Sequence, residues 1–249
     1  MNKIVVISSN ANKDYLFYVP FAEHAWNKIG WRVCLMITHD VDRRKVILNN
    51  ANTHVYTMPP INGLRSETIA QSSRFYAASF MPDNCVMMTG DVDLLPLSDY
   101  WQPDPSIITV YGHDLTDYTH YPTGYIAMTR DSWRSVMGLK DDIPKQIYDD
   151  CVEIGMALSD DFGKWWNHDW TLSTKRIKPH HPHFHNRGKR DGTNFAFGRI
   201  DRGDSMQIPN EIPLIDMHCV NKDVRRPDVR NQFFTLYEKF VAPITFRYE

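Results

Sequence analysis

The sequence predicts an α/β fold in which a mostly parallel central sheet is flanked by helices and followed by a mixed second half. The first hundred of the 249 residues alternate short apolar, β-branched runs with helical stripes, a pattern typical of parallel sheets covered by helices. The apolar run at 85–88 then leads to two aspartates one residue apart, Asp91 and Asp93. Beyond residue 99 the regular alternation stops, which predicts a mixed second half.

The elements of the first half follow from periodicity and turn residues. Residues 3–8 are apolar and β-branched with a polar turn after them, which predicts a buried strand. Residues 15–29 carry a helical stripe, with Pro20 in the first turn or at a kink and Gly30 as a C-terminal stop. The remaining elements of this half are predicted strands at 31–38, 53–58 and 85–88 and a predicted helix at 64–80.

The second half is less regular, but nothing in it marks a second domain. Its predicted elements are strands at 106–111 and 125–129 and helices at 131–139, 143–156 and 227–240. The segment 170–177 is ambiguous, and the polar segment 180–204 is interpreted as a long loop near a binding site. Since no repeat or low-complexity segment divides the chain, we predict a single domain over 1–249.

Composition excludes several classes of protein. The chain is 42% hydrophobic and 23% charged, as globular proteins are, and its formal net charge of −2 argues against a nucleic-acid binder or an anionic-membrane binder. No apolar segment has membrane-spanning length, and the first apolar run is too short for a signal peptide, so we expect a soluble, cytoplasmic protein. The four cysteines are scattered without a C-x-x-C pair, which favours reduced thiols over a zinc site of the finger type.

Asp91 and Asp93 are the strongest candidates for a metal site. In an extended backbone the side chains at i and i+2 point the same way, so both carboxylates can face one ion. Carboxylates at the end of a buried strand are costly to desolvate without a cation or donors, and Mg²⁺ or Mn²⁺ is a suitable partner. Gly90 permits close backbone approach. The alternative is that Asp91 caps the turn and Asp93 faces water.

A second polar segment is predicted to lie at the same place in the fold. Residues 8–12 follow the first strand as 91–93 follow the fourth. In open parallel sheets ligands bind outside the carboxyl ends of the strands, so both segments fall at one edge of the sheet.

An N-terminal nucleotide-type half, a D-x-D after a buried strand and a mixed second half together resemble the GT-A glycosyltransferases. The chain looks most like the small glycosyltransferase domains of large algal DNA viruses. The resemblance implies a GT-A fold with a nucleotide-sugar half at 1–99 and an acceptor-binding, catalytic half at 100–249. It also implies a nucleotide-diphosphate sugar donor, UDP-linked by family habit, and Mn²⁺ or Mg²⁺ as cofactor.

The resemblance places the donor around the sheet edge. Asp91 would contact the ribose and metal-bound water, with Val92 beside it, while Asp93 would bind the metal directly. Arg65 and Arg74 would contact the diphosphate, which suits a guanidinium, although most arginines on helices are solvated or salt-bridged. The nucleoside would be held by the loop after the first strand, at Ser8, Ser9 and Asn10, although a turn explains these residues equally well.

The resemblance also assigns residues of the second half. Gly124, in Tyr121-Pro-Thr-Gly-Tyr125, would let the backbone approach the sugar, although a turn or bulge explains it as well. His218 would complete the metal shell and Lys222 would lie near the phosphates. Arg199 and Arg202 are lesser candidates for closing over the diphosphate. The histidines at 180, 181, 183 and 185 are interpreted as an exposed loop.

Asp169 is the candidate general base. It lies in Trp165-Trp-Asn-His-Asp-Trp170, at the family's acidic motif, and would take the proton of the acceptor hydroxyl in an inverting transfer. The family more often has Glu before the Asp, where this chain has His168, and the alternative is that Asp169 caps a helix starting at Trp170. The neighbouring indoles offer flat faces for sugar rings.

The resemblance, together with these residues, implies a metal-dependent hexosyl- or deoxyhexosyltransferase acting on a glycan or glycoprotein. A non-catalytic sugar- or nucleotide-binding module would use the same residue types. A nucleotidyltransferase is disfavoured because residues 8–13 lack its glycines, and a D-x-D phosphatase because its motif follows the first strand. The donor sugar, the acceptor and the stereochemistry do not follow from the residues.

Overall fold

A seven-stranded sheet forms the centre of the fold, in a computed structural model that describes residues 1–116, 119–188, 196–201, 208, 213–219, 224 and 226–248. Its strands are β1 Asn2–Ser9, β2 Arg32–Thr38, β3 His54–Met58, β4 Cys85–Thr89, β6 Thr109–Tyr111, β7 Ile126–Thr129 and β8 His183–His185, and the intervening β5 Leu94–Pro96 lies outside this sheet. The strand order is β3-β2-β1-β4-β7-β6-β8. The first four pair in parallel, β7 is antiparallel to β4 and β6, and β8 is parallel to β6. The predicted mostly parallel sheet with a mixed second half is confirmed.

Seven helices flank the strands in the described part of the chain. They are α1 Lys13–Lys28, α2 Ser66–Tyr76, α3 Arg130–Val136, α4 Ile143–Ile154, α5 Phe162–Trp166, α6 His168–Ile177 and α7 Pro227–Phe240. Pro20 lies inside α1, and α7 has the predicted bounds. The ambiguous segment 170–177 is helical and begins two residues earlier, at His168. Among the described residues, no helix is both long enough and apolar enough to cross a membrane.

The central sheet buries both of its faces. Along β1, Val5 and Ile7 pack with α1 and α7, while Ile4 and Val6 pack with α2, α3, α4 and α6. All four side chains are fully buried, which explains why the strand is continuously apolar rather than alternating.

A second, three-stranded sheet stands beside the first and was not predicted. It consists of β5 Leu94–Pro96, β9 Arg199–Ile200 and β10 Asp216–His218, in the order β5-β10-β9. Strand β10 is antiparallel to β5 and parallel to β9. The interpretation of 180–204 as one long loop is therefore wrong in its described part, because β8 and β9 pair with other strands.

Candidate active site

A cavity of about 450 Å³ opens at the carboxyl ends of β1 and β4. It brings together most of the predicted site residues, whose individual roles remain predictions. Those that line it are Ser8, Ser9, Asn10, Arg74, Asp91, Val92, Asp93, Gly124, Asp169 and His218. Lys222 and Arg202 lie outside the described residues. The segments that follow β1 and β4 therefore meet at one edge of the sheet, as the strand order predicts.

The turn after β1 is held by its own side chains. The hydroxyl of Ser9 donates to the Asn10 carbonyl at 3.0 Å, and the Asn10 amide donates to Ser66 Oγ at 3.2 Å. Asn10 Oδ1 accepts from the backbone N–H of Asn12 at 3.3 Å. Asn10 thus ties the turn to the start of α2, and this packing positions the polar groups along one wall of the cavity.

Arg74 is shared by two carboxylates. Its guanidinium forms an ion pair with Asp91 and another with Asp169, at 3.1 Å from Asp169 Oδ2, and donates to the Gly90 carbonyl at 3.0 Å. The Arg74 side chain is only 3% exposed. Since charged groups are rarely buried unless paired, the pairing explains how α2 can carry an arginine into the interior.

Asp169 is buried and already engaged. Its Oδ2 accepts from Thr123 Oγ1 at 3.0 Å as well as from Arg74, and its Oδ1 accepts from the Trp170 N–H at 2.9 Å. Burial raises the pKa of the Asp169 carboxyl, an effect that the charges of His168 and Arg74 partly oppose. A raised pKa makes this carboxylate a stronger base than an exposed one. The helix-cap alternative is wrong as stated, because α6 begins at His168 and Asn167 is its N-cap.

His168, the departure from the family pattern, is a core residue. Its Nε2 lies 2.8 Å from Ser72 Oγ and its Nδ1 2.8 Å from the Trp165 carbonyl oxygen. Burial lowers the pKa of this imidazole. His168 does not line the cavity, whereas the adjacent Asp169 does.

Two glycines permit close contacts at the site. A Cβ on Gly124 would lie 3.0 Å from Asp91 Oδ2 and 3.0 Å from Leu94 Cδ1, and a Cβ on Gly90 would lie 2.9 Å from Val5 Cγ2. All three distances are shorter than most side-chain contacts, so a larger residue at either position would require these neighbouring side chains to shift. The expected close approach at Gly90 is to strand β1.

Asp93 and His218, two of the predicted metal ligands, lie close together in the cavity. Asp93 Oδ2 lies 3.8 Å from His218 Nε2, and the backbone carbonyl of Asp93 accepts from the Cys219 N–H at 2.8 Å. Asp91 instead turns toward Arg74, and no cluster of three or more ligand side chains occurs in the described ranges. A carboxylate and an imidazole are suitable ligands for Mn²⁺. Two protein ligands would leave other coordination positions to water or a diphosphate. This donor set fits the implied cation.

A buried ion triad is centred on Asp216 of β10, the strand of the small sheet that carries His218. Asp216 accepts from Arg187 Nη1 at 2.8 Å and from Arg199 Nη2 at 2.7 Å, and its side chain is fully buried. Burial would raise the pKa of the Asp216 carboxyl, but the two guanidiniums outweigh it and hold that pKa far below its usual range. Both arginines line the cavity, and Arg199 is held by β10.

Arg65, by contrast, is not among the residues that line the cavity. It donates to the Ser159 carbonyl at 3.0 Å, pairs with Asp160 at 3.4 Å and lies 5.1 Å from the centre of the Trp165 ring. These contacts fasten the segment before α5. The predicted contact between Arg65 and a nucleotide stays a prediction.

The sequence did not single out several lining residues. Thr123 stands beside the predicted Gly124, but its bond to Asp169 depends on packing between distant segments. The others with polar or aromatic side chains are Tyr15, Glu67, Gln71, Tyr111, Thr116, Arg187 and Asp201. Their positions depend on strand pairing and helix packing, so no local sequence pattern identifies them.

Solved structures of glycosyltransferases share this fold. The galactosyltransferase LgtC, crystallised with donor and acceptor sugar analogues, aligns over 97% of this chain and 98% of its own, with a TM-score of 0.55 and 13% identity. An active-site mutant of LgtC aligns over the same shares with a TM-score of 0.52 and 11% identity.

The glycosyltransferase GlyE of Streptococcus pneumoniae aligns over 75% of this chain but only 45% of its own, with a TM-score of 0.47 and 11% identity. No protein-family model and no curated protein matches the sequence. The likeness to LgtC shows the GT-A type of fold that the sequence predicts, and at these identities it shows the fold alone.

Proposed function

We propose that this chain is a metal-dependent glycosyltransferase that moves a sugar from a nucleotide-diphosphate donor, with UDP as the first candidate, to a glycan or glycoprotein. The observation that carries the proposal is one cavity lined by two different kinds of group. It is lined by the Asp93–His218 pair and by Asp169, whose carboxylate accepts from Arg74 and Thr123. A cation site and a buried carboxylate in one cavity fit a leaving diphosphate and an attacking hydroxyl.

The chemistry follows from these positions. The acceptor oxygen attacks the anomeric carbon while the bond from that carbon to the diphosphate oxygen breaks, and Asp169 takes the hydroxyl proton. Arg74 and Thr123 hold the Asp169 carboxylate in place. When bound by Asp93 and His218, Mn²⁺ or Mg²⁺ would supply Lewis-acid stabilisation of the departing diphosphate. Attack assisted by a base on the opposite side gives inversion.

Aromatic side chains near Asp169 support a carbohydrate acceptor. Trp166 and Trp170 line the cavity, and Phe162 stacks on Trp166 with ring centroids 5.6 Å apart and planes inclined by 14°. Phe162 is 63% exposed and Trp170 37%. Flat faces that run from the surface into the cavity can stack against the C–H faces of sugar rings, and the amphipathic indoles retain a polar edge.

The metal proposal predicts the effect of Asp93→Asn. Removing this carboxylate should weaken Mn²⁺ binding at least as strongly as loss of an outer-shell partner, which costs about 10–100-fold. Titration of the protein with Mn²⁺, followed by electron paramagnetic resonance of the free ion, measures the affinity. The control is Asp99→Asn, which changes an exposed aspartate six positions later. Equal Mn²⁺ affinity in the Asp93 and Asp99 variants would refute the ligand role.

The transfer proposal predicts a different effect for Asp169→Asn. The amide keeps an acceptor for Arg74 and Thr123 but cannot take a proton, so donor binding should persist while transfer falls by about 10²–10⁴-fold. A screen of nucleotide sugars with Mn²⁺ identifies the donor, calorimetry reports binding, and anomeric analysis of the product reports the stereochemistry. Binding without turnover in the unaltered protein would favour a non-catalytic binding module instead.

A further inference from the structure

His218 has a carboxylate on each side of its ring. Nδ1 lies 3.1 Å from Asp201 Oδ1, while Nε2 lies 3.8 Å from Asp93 Oδ2. All three side chains line the cavity and are largely buried, with exposures of 12% for Asp201, 19% for His218 and 8% for Asp93. The two ring nitrogens therefore have different partners.

The small sheet positions Asp201. In the parallel pairing of β9 and β10, Arg199 faces Asp216 and Ile200 faces Met217, so Asp201 comes next, opposite His218. Side chains two residues apart share a face of a sheet, which places the Asp201–His218 pair on the same face as the Arg199–Asp216 ion pair. The contact with His218 is thus set by strand register.

This arrangement selects one form of the neutral imidazole. An ionised carboxylate only accepts hydrogen bonds, so the Asp201 contact places the proton of a neutral ring on Nδ1. Nε2 then carries a lone pair directed toward Asp93, which is itself an acceptor. Two acceptors facing each other suit a shared cation. A carboxylate that binds the far nitrogen is the usual way in which proteins orient a metal-binding histidine.

We propose that Asp201 is a positioning residue that fixes the tautomer and the ring orientation of His218, so that Nε2 faces the metal. The inference rests on the proposed metal dependence and extends it to a residue outside the D-x-D motif and the candidate ligands. Asp201 acts through His218 and needs no contact with the cation.

Mn²⁺ titration of three variants tests the inference. Asp201→Ala should weaken Mn²⁺ binding by about 10–100-fold. Asp201→Asn should recover much of this loss, because the amide oxygen still accepts from Nδ1–H. Asp141→Ala, which removes an exposed carboxylate elsewhere, should bind Mn²⁺ as the unaltered protein does. Thermal unfolding of the metal-free variants verifies that each is folded.

The tautomer gives a readout that needs no metal. Long-range ¹H–¹⁵N correlation spectra of metal-free protein distinguish the Nδ1–H and Nε2–H forms, and the His218→Gln spectrum identifies the signal. Above pH 7.5 we expect Nδ1–H in the unaltered protein and a shift toward Nε2–H in Asp201→Ala. An Nε2–H form in the unaltered protein, or equal Mn²⁺ affinity in Asp201→Ala, would overturn the inference alone. Failure of the unaltered protein to bind Mn²⁺ would overturn the metal dependence as well.

Discussion

His168 and Asp169 are adjacent and both buried, but one is a core residue and the other lines the cavity. His168 bonds to Ser72 and to the Trp165 carbonyl and remains in the core. Asp169 turns to the cavity, where Arg74 offsets the cost of burying its charge. Burial shifts both pKa values toward the neutral form, downward for the imidazole and upward for the carboxyl. Helix α6 thus carries one side chain that lines the cavity, Asp169, and one that holds the helix in the core, His168.

The buried imidazole predicts an acid-dependent stability. The folded-state pKa of His168 is lowered, so its contribution is present above the unfolded-state pKa of about 6.5 and is lost as pH falls, because the unfolded chain binds the proton more readily. Below that pKa, protonation of His168 should lower the unfolding free energy by up to about 1.4 kcal/mol for each pH unit. His168→Asn should remove this part of the decline between pH 7.5 and 5.5.

Urea denaturation at a series of pH values measures the effect of His168→Asn. The control is His183→Asn, on the exposed strand β8, which should keep the full decline. An identical pH profile for the unaltered protein and His168→Asn would show that this imidazole does not control the acid response.

At the scale of elements, the small sheet decides the shape of the candidate metal site. Strand β5 follows Asp93 directly, β10 ends at His218, and β9 precedes Asp201. Gly198, just before β9, is linked to the residue just before β10, because its carbonyl accepts from the Ile215 N–H at 2.6 Å. Its φ is +67°, and a Cβ there would lie 2.8 Å from the Pro213 carbonyl oxygen. The position therefore requires glycine for both backbone and space.

Gly198→Ala should therefore disturb metal binding at a distance. Left-handed backbone alone costs an alanine about 1–2 kcal/mol, and the contact with Pro213 adds to that cost or displaces β9. The control is Gly30→Ala, whose φ is +82° and whose Cβ would meet nothing within 4 Å. We expect both variants to lose unfolding free energy in urea, and only Gly198→Ala to lose Mn²⁺ affinity. Parallel losses of affinity would contradict this role.

The sequence predicts the elements that carry enough residues to show a period. Strands β1 to β4 and helices α1, α2 and α7 fall near their expected ranges, because each has five or more residues, enough to show a strand or helix pattern in the sequence. Strands β5, β9 and β10 have two or three residues, too few to show alternation, and their existence depends on pairing between residues far apart.

The same limit holds for the candidate site. The sheet-edge rule brings Ser8 to Asn10 and Asp91 to Asp93 to one cavity, because it needs only the order of parallel strands. The contact of Asp201 with His218 follows from strand register, and that of Thr123 with Asp169 from helix packing, neither of which is a local pattern. Arg65 fits the expected chemistry, but its contacts with Ser159 and Asp160 are tertiary.

At the scale of the whole molecule, the central sheet separates two cores. The core on the α1–α7 side contains an aromatic cluster centred on Phe21, whose ring lies 4.9 Å from Phe233, 5.1 Å from Tyr237 and 5.3 Å from Phe246. Phe246 thereby fastens the segment after α7 to α1. Phe21 is fully buried and does not line the cavity. Stability and the site are therefore expected to respond separately to changes in this cluster.

Phe21→Ala should cost about 3–5 kcal/mol of unfolding free energy, the usual range for removing a buried aromatic ring. The Mn²⁺ affinity of the folded protein should stay within about twofold of the unaltered value, because Phe21 does not line the cavity that contains Asp93 and His218. Ile107→Ala, which truncates a side chain that is 39% exposed, is the stability control. A matching loss of metal affinity in Phe21→Ala would show that the candidate metal site depends on this aromatic cluster.

Because Arg74 is shared by Asp91 and Asp169, these three residues are expected to change together during evolution. A substitution that removes the Arg74 guanidinium leaves two acidic groups without their shared cation. A substitution of either aspartate changes the charge balance between Arg74 and the remaining aspartate. Single steps through this trio pass through a destabilised intermediate. Among descendants of this gene, the three codons are thus expected to be retained together or replaced together, even though 95 positions separate the first from the last.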